Sequence, residues 1–330
     1  MTTMTTIRTS LARLLLGAYV SCLAPWVAAQ GAADFPTKPI KIIVPYAAGG
    51  GADILARLVG QQLGARLKQP VIVENQGGAS NTIGMTTLAR SDKDGYTLGL
   101  ATPVFVMTPS LMRSHPYDIF KDFTPVGMIG FTPLVLVVHP SVPAKTLREF
   151  IALAKAKPGS LNYASLGQAT TQGLAGTLFN MTTGIDAVQI PYKGSAPGTT
   201  DLLAGNVQYM FNALPSMLGH IQTGKIRALG VSSLKRSPSL PDVPPINDTV
   251  KGYEVTTWYS LVAPAGVPAD IIAKLSKEIG AIVESPEVKE KLRGQGVEAD
   301  AMTSAELGAH LKKEHDKWAK VIRDAKIAPE

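Results

Sequence analysis

Short apolar runs alternate along this chain with longer stretches in which apolar residues recur every three or four positions. Strands are expected over 40–44, 71–74 and 97–101, and helices over 53–67 and 82–89, with a loop after the third strand. Period-two or continuous apolar runs suit buried strands, and the 3.6 period suits amphipathic helices, so the alternation predicts parallel α/β layers. Two further strands, over 126–129 and 134–138, follow almost without interruption, with Phe131, Thr132 and Pro133 between them. No helix fits in that gap to reverse the path, which is the pattern of a chain crossing between domains.

The alternation then resumes. Thr146-Leu147-Arg148-Glu149 has the spacing of a capping box and opens a helix to 155, ended by Lys157-Pro158-Gly159. Strands over 162–165, 187–191, 207–211 and 226–231 enclose helices over 170–181 and 197–204, a second unit of ordinary domain size. The proline-rich stretch 238–245 is too stiff and donor-poor for a sheet, and it leads to a strand over 255–263 that carries Trp258 and Tyr259 and forms the return crossing. Helices over 269–284, 286–292 and 304–325 finish the chain. The last opens on Thr303-Ser304-Ala305-Glu306, turning Leu307, Leu311, Trp318 and Ile322 inward and Lys312, Lys313, Lys317 and Lys320 outward. The expected organisation is thus a discontinuous α/β domain over 30–131 and 254–330, with a second α/β domain, 132–253, inserted into it.

The first 29 residues differ in kind. Arg8 and Arg13 precede an apolar stretch from Leu14, no acidic residue occurs before Asp34, and Val27-Ala28-Ala29 closes the segment with small residues. This is the pattern of a cleavable secretory signal peptide over 1–29, and it implies export to the periplasm. Ser21, Pro25 and Trp26 interrupt the stretch, which is short for a membrane span. The single cysteine, Cys22, would leave with this leader, so disulfides, thiol catalysis and thiolate metal sites are not expected.

Across 330 residues, 45% hydrophobic and 17% charged, the balance is that of a globular protein with room for two cores. Glycine and proline are spread without a period, which removes collagen-like and solenoid architectures. The net charge of +7 falls by two when Arg8 and Arg13 are removed, and no basic run is interleaved with aromatics, so a nucleic-acid partner is not expected. A mildly positive exported protein still attracts small anions.

Motifs for nucleotide, serine-hydrolase and zinc chemistry are missing from the sequence: there is no GxxxxGK[ST], GxSxG, HExxH or GxGxxG. His115, His139, His220, His310 and His315 do not cluster at ligand spacing and are expected on surfaces or loops. No catalytic residue, metal or cofactor is therefore assigned. What the sequence does offer is a set of loops that lead from strand ends into helix starts, where unpaired amides and the positive end of the helix dipole favour an anion. The first is Tyr46-Ala47-Ala48-Gly49-Gly50, with Asp53 placed to cap the helix, and Thr102 follows the third strand. The second runs from Ser165 through Gly167, Gln168, Thr170 and Thr171 to Gln172. The third contains Lys193 and Gly194. Loops from both domains suggest a cleft with donors on both walls.

These loops resemble the Bug receptors, the TctC-like extracytoplasmic solute-binding proteins of tripartite tricarboxylate transporters. The residues that carry the likeness are Phe35 through Gly50 with Asp53, Val73 through Ala79 with Ile83 and Gly84, Asp94 through Leu98, Pro191 through Gly194 with Ala196 and Pro197, and Lys225 through Leu229 continuing to Pro244. The resemblance implies a two-lobed, type II Venus-flytrap fold with two interdomain crossings that closes on a small carboxylate. It further implies delivery to the permease subunits of a membrane transporter, or contact with a sensor-kinase ectodomain, by a monomer. It places the carboxylate between the stretch from Tyr46 to Gly50 and that from Gly167 to Thr171, with selectivity set by Phe105, Met107, Gln172, Lys193 and Asn212. Asn212 stands where the family often has Asp; a neutral amide there removes a repulsive charge and favours ligands with a second carboxylate or an uncharged tail over ligands with an ammonium group. An exported enzyme acting on a small organic acid, or a ligand sensor serving a signalling receptor, remains an alternative at this level.

Overall fold

A computed structural model describes residues 34–78, 81–165, 167, 170–192 and 195–329. The signal-peptide stretch lies outside the described residues, as do Ala79 of the family motif and the candidate site residues Gln168, Lys193 and Gly194.

The first layer follows the predicted alternation. Strands β1 (Ile40–Val44), β2 (Val71–Asn75) and β3 (Thr97–Ala101) are linked by helices α1 (Gly51–Leu67) and α2 (Thr82–Ala89). Strand β1 pairs in parallel with both β2 and β3. Its Ile40, Ile42, Ile43 and Val44 are fully buried, as a strand covered on both faces requires.

Two corrections concern segments in which the local pattern misleads. After β3 the chain forms helix α3 (Pro103–Leu111), where a loop was expected. Val104, Phe105 and Val106 have poor helix propensity, but Pro103 at the first position presets the backbone and burial of Phe105, Val106 and Met107 outweighs the propensity cost. The two expected crossing strands are one strand, β4 (Phe123–Val138), which runs unbroken through Pro133. It pairs antiparallel with β9 (Thr256–Pro264) from Phe123 opposite Pro264 to Pro133 opposite Thr256, with register shifts near Gly127 and Gly130. Gly130 admits strand β10 (Glu298–Ala299) beside it, because a Cβ there would lie 2.3 Å from the Glu298 carbonyl oxygen.

Beyond the crossing, β4 continues into a second set of strands. It pairs antiparallel with β7 (Tyr209–Ala213) and β8 (Arg227–Val231), while β5 (Asn162–Ser165) pairs in parallel with β7 and with β6 (Val188–Pro191). Helices α4 (Leu147–Ala156), α5 (Thr171–Thr183), α6 (Ser195–Ala204) and α7 (Leu214–Gln222) cover this set, and the sequence reading left α7 unassigned. The main strand order is β2-β1-β3-β9-β4-β7-β5-β6, so the two crossing strands sit side by side at the centre.

Helices α8 (Ala269–Glu284), α9 (Pro286–Gly294) and α10 (Ser304–Asp324) return to the first set of strands. Thr303 and Glu306 form the predicted capping box, and Leu307, Leu311, Trp318 and Ile322 are buried. Glu314 is also buried on that face, and its carboxylate accepts from the indole nitrogens of Trp258 at 3.3 Å and Trp318 at 3.0 Å and pairs with Lys317. His310 departs from the surface expectation. It packs edge-on against Trp258, its Nε2 is buried without a partner, and burial lowers its pKa.

Candidate functional site

Strand β1 ends at Val44, and six residues separate it from the start of α1 at Gly51. Tyr46 is half-buried, while Ala47, Ala48, Gly49 and Gly50 stand exposed. Gly49 has φ +82°, a conformation that glycine adopts without strain. The loop rests on Gly77, where a Cβ would come within 3.3 Å of the Ala47 nitrogen.

Asp53 was expected to cap α1, and it closes the loop by a related route. Gly50 is the N-cap and has no side-chain cap. Asp53 Oδ2 instead accepts from the Gly49 amide at 2.9 Å and from Arg57 Nε at 3.1 Å. The Arg57 guanidinium and then the Gly49 amide hold its carboxyl below the usual carboxylate range. The Asp53 charge is thus used to shape the loop.

Tyr46 is clamped from two sides. Its hydroxyl is 2.5 Å from Thr102 Oγ1 and accepts from Asn81 Nδ2 at 2.6 Å, and its carbonyl accepts from Asn75 Nδ2. Burial raises its pKa, so the phenol stays neutral and available as a hydrogen-bonding group at ordinary pH.

The loop into α5 is closed just as tightly. Thr170 donates through Oγ1 to the Gly167 carbonyl at 2.8 Å, and the same oxygen accepts from the Gly173 amide at 3.0 Å. A Cβ on Gly173 would lie 1.9 Å from the Gly167 carbonyl oxygen, so this turn can form only over a glycine. Ser165 Oγ is buried without a partner beneath the turn.

Between these loops lies a cavity of about 270 Å3. Its walls are the starts of three helices: Gly50, Gly51 and Ala52 from α1, Thr102, Pro103 and Val104 from α3, and Thr170, Thr171 and Gln172 from α5. Tyr46 and, from the crossing strand β9, Thr257 and Tyr259 complete it. None of the described lining residues is charged. The first turn of each helix leaves amides without helical partners and carries the positive end of the dipole, so three such ends around one cavity make a site for an anion. Thr257 Oγ1 is buried without a partner, and burial raises the Tyr259 pKa, assisted by nearby Tyr46.

Of the predicted residues, the cavity brings together Tyr46, Gly50, Thr102, Thr170, Thr171 and Gln172. Ala47, Ala48 and Gly49 form the exposed tip of the loop, and Asp53, Ser165 and Gly167 support the walls from behind. Asn212 is buried at the end of β7, where its Nδ2 donates to Ser195 Oγ and its Oδ1 accepts from the Ala213 amide. Phe105 and Met107, expected near the ligand, face the core, with Phe105 stacked on Tyr117 and edge-on to Phe123. The residues missed are Asn81, Pro103, Val104, Thr257 and Tyr259. Thr257 and Tyr259 flank buried Trp258 at strand period, a signal that set them on one face without saying what the face would meet.

Two α/β sets of strands joined by paired crossing strands, with helix starts converging on a polar cleft, define a two-lobed solute-binding protein. Residues 55–327 match the tripartite tricarboxylate transporter family receptor, TctC, and the chain belongs to that family of periplasmic binding receptors. It is 36% identical over 322 residues to protein BugT of Bordetella pertussis, covering 96% of this chain and 98% of that one. Among solved structures it is similar to an R. palustris protein with adipate, at 34% identity and TM-score 0.74, covering 90% of this chain and all of that one. It is also similar to MatC from Rhodopseudomonas palustris with bound malate, at 28% identity and TM-score 0.69, covering 87% of this chain and all of that one. Among the described residues no helix is long and apolar enough to cross a membrane.

Proposed function

We propose that this protein captures a small carboxylate in the cavity between the α1, α3 and α5 helix starts and presents it to a membrane transporter. The observation that carries the reading is the convergence of three helix N-termini, phenol and threonine hydroxyls on one cavity whose described lining carries no charge. A carboxylate is an anion small enough to accept from several of these donors at once, and charge-assisted hydrogen bonds contribute on the order of 1.5–3 kcal/mol each. The adipate and malate of the two solved relatives support this ligand class.

The protein acts as a receptor without catalysis, exported by a leader ending near Ala29 and working as a monomer. Its lobes comprise 30–131 with 254–330, and 132–253. Contacts from both walls form together only when the lobes close, so ligand shifts the population to the closed form, which docks to permease subunits or to a sensor ectodomain.

A melting-temperature screen over mono-, di- and tricarboxylates tests the reading. A true ligand at ~100 times its Kd stabilises by about 2.7 kcal/mol. The expected result is a saturable shift with one or more carboxylates, with the ligand recovered unchanged, and loss of the shift in Val104→Trp, which fills the cavity. Chemical turnover of the acid, or shifts that survive Val104→Trp, would count against it.

A further inference from the structure

On another part of the surface lies a cavity of about 440 Å3 that shares no residue with the cleft. One wall is α7 with the Ser237–Ser239 loop, and the other is α9 with the turn into β10. The two walls meet closely at Gly296, where a Cβ would lie 1.9 Å from Pro215 Cγ.

Three chemistries line this space. Leu214 and Leu218, one helical turn apart on α7, supply an apolar strip. Lys289 and Arg293 supply positive charge from α9, each held by one acidic neighbour, Glu284 at 2.5 Å and Glu290 at 2.6 Å. Glu298 supplies a carboxyl that is partly satisfied by Ser237, while its Oε1 is buried with no hydrogen-bond partner. A buried acceptor without a donor is costly, and burial accordingly raises the Glu298 pKa. Glu298 stands on the cavity wall with Lys289 and Arg293. A donor for that oxygen can be supplied by water or by a ligand in the cavity. A simple amine suits Glu298 but is opposed by Lys289 and Arg293, whereas a zwitterion satisfies both signs.

We propose that this cavity is a second small-molecule site that takes a free aliphatic amino acid, its ammonium group on Glu298, its carboxylate toward Lys289 and Arg293, and its side chain against Leu214 and Leu218. The site is separate from the carboxylate cleft and does not depend on that cleft being occupied.

Isothermal titration of the mature chain with L-leucine tests this. Binding is expected in the wild type, weakened by about tenfold or more in Glu298→Gln, which loses one charge-assisted bond. It is expected to be lost in Leu218→Trp, which fills the cavity, and to stay within about twofold in Val104→Trp, a distant site. The amine and acid that each lack one charged group, 3-methylbutylamine and 4-methylpentanoate, should compete poorly with leucine in this site. Glu298→Gln keeps the shape of the side chain, so matching circular dichroism and melting curves for it and the wild type make its titration decisive even where Leu218→Trp fails to fold. Absence of leucine binding to the wild type at millimolar concentration overturns the proposal. Leucine affinity that is lost in Val104→Trp and retained in Glu298→Gln also overturns it, by placing the amino acid in the cleft.

Discussion

Tyr46 carries the residue-scale case, because its hydroxyl joins Thr102 and Asn81 at the rim of a cavity whose other donors are mostly main-chain amides. Tyr46→Phe should weaken carboxylate binding about tenfold by calorimetry and lower the melting temperature modestly, since the ring's packing is kept while Thr102 and Asn81 each lose a partner. Asp53 makes a different prediction. Its carboxyl is depressed by Arg57 and the Gly49 amide, so its contribution is present above the unfolded carboxylate pKa and is lost as pH falls through the lower folded value. The stability gap between wild type and Asp53→Asn, about 1–3 kcal/mol at neutral pH, should hold down to about pH 5 and shrink below about pH 4. A gap that stays constant through pH 3 in urea unfolding curves would assign Asp53 no charge-dependent role in the loop.

At the scale of elements, site geometry depends on turns that only particular residues permit. The entry to α5 folds back so tightly that Gly173 lies under the Gly167 carbonyl. Gly173→Ala should therefore open this turn, abolish carboxylate-induced melting shifts and cost more than the roughly 0.5–1 kcal/mol gained by alanine in an ordinary helix interior. A variant that binds normally would show that the wall at Thr171 and Gln172 does not need the tight turn. Most elements were legible beforehand because their signals are local: the N-cap at Thr146, the capping box at Thr303, the prolines and glycines that end helices, and the apolar runs of β1 and β3. Helix α3 was not legible, because Val104-Phe105-Val106 reads as strand or loop until the buried environment of Phe105 is known. Strand β4 was divided at Pro133 for a similar reason. Proline is tolerated there beside β9, and only the pairing shows that it is.

For the whole molecule, strands β4 and β9 run side by side through the centre and connect both sets of strands. Any relative motion of the lobes has to bend this pair, and a ligand that touches Thr257 and Tyr259 on β9 as well as helix starts from both sides couples binding to that bend. Small-angle scattering should show a smaller radius of gyration when a binding carboxylate is added, and no change with a non-binding one. An unchanged radius at saturation would mean that the protein binds without closing.

Taken by itself, the order of residues determined the α/β class, the positions of most strands and helices, and the strand-to-helix loops with anion-binding character. It could do so because caps, turns and periodicity act over a few residues. Tertiary structure alone decided that the starts of α1, α3 and α5 meet at one cavity, that Thr257 and Tyr259 join them, and that Phe105 and Met107 pack into the core. The meeting of the helix starts with Thr257 and Tyr259 depends on pairings between residues more than a hundred positions apart, such as Phe131 with Trp258, and no local pattern encodes where two distant strands will meet.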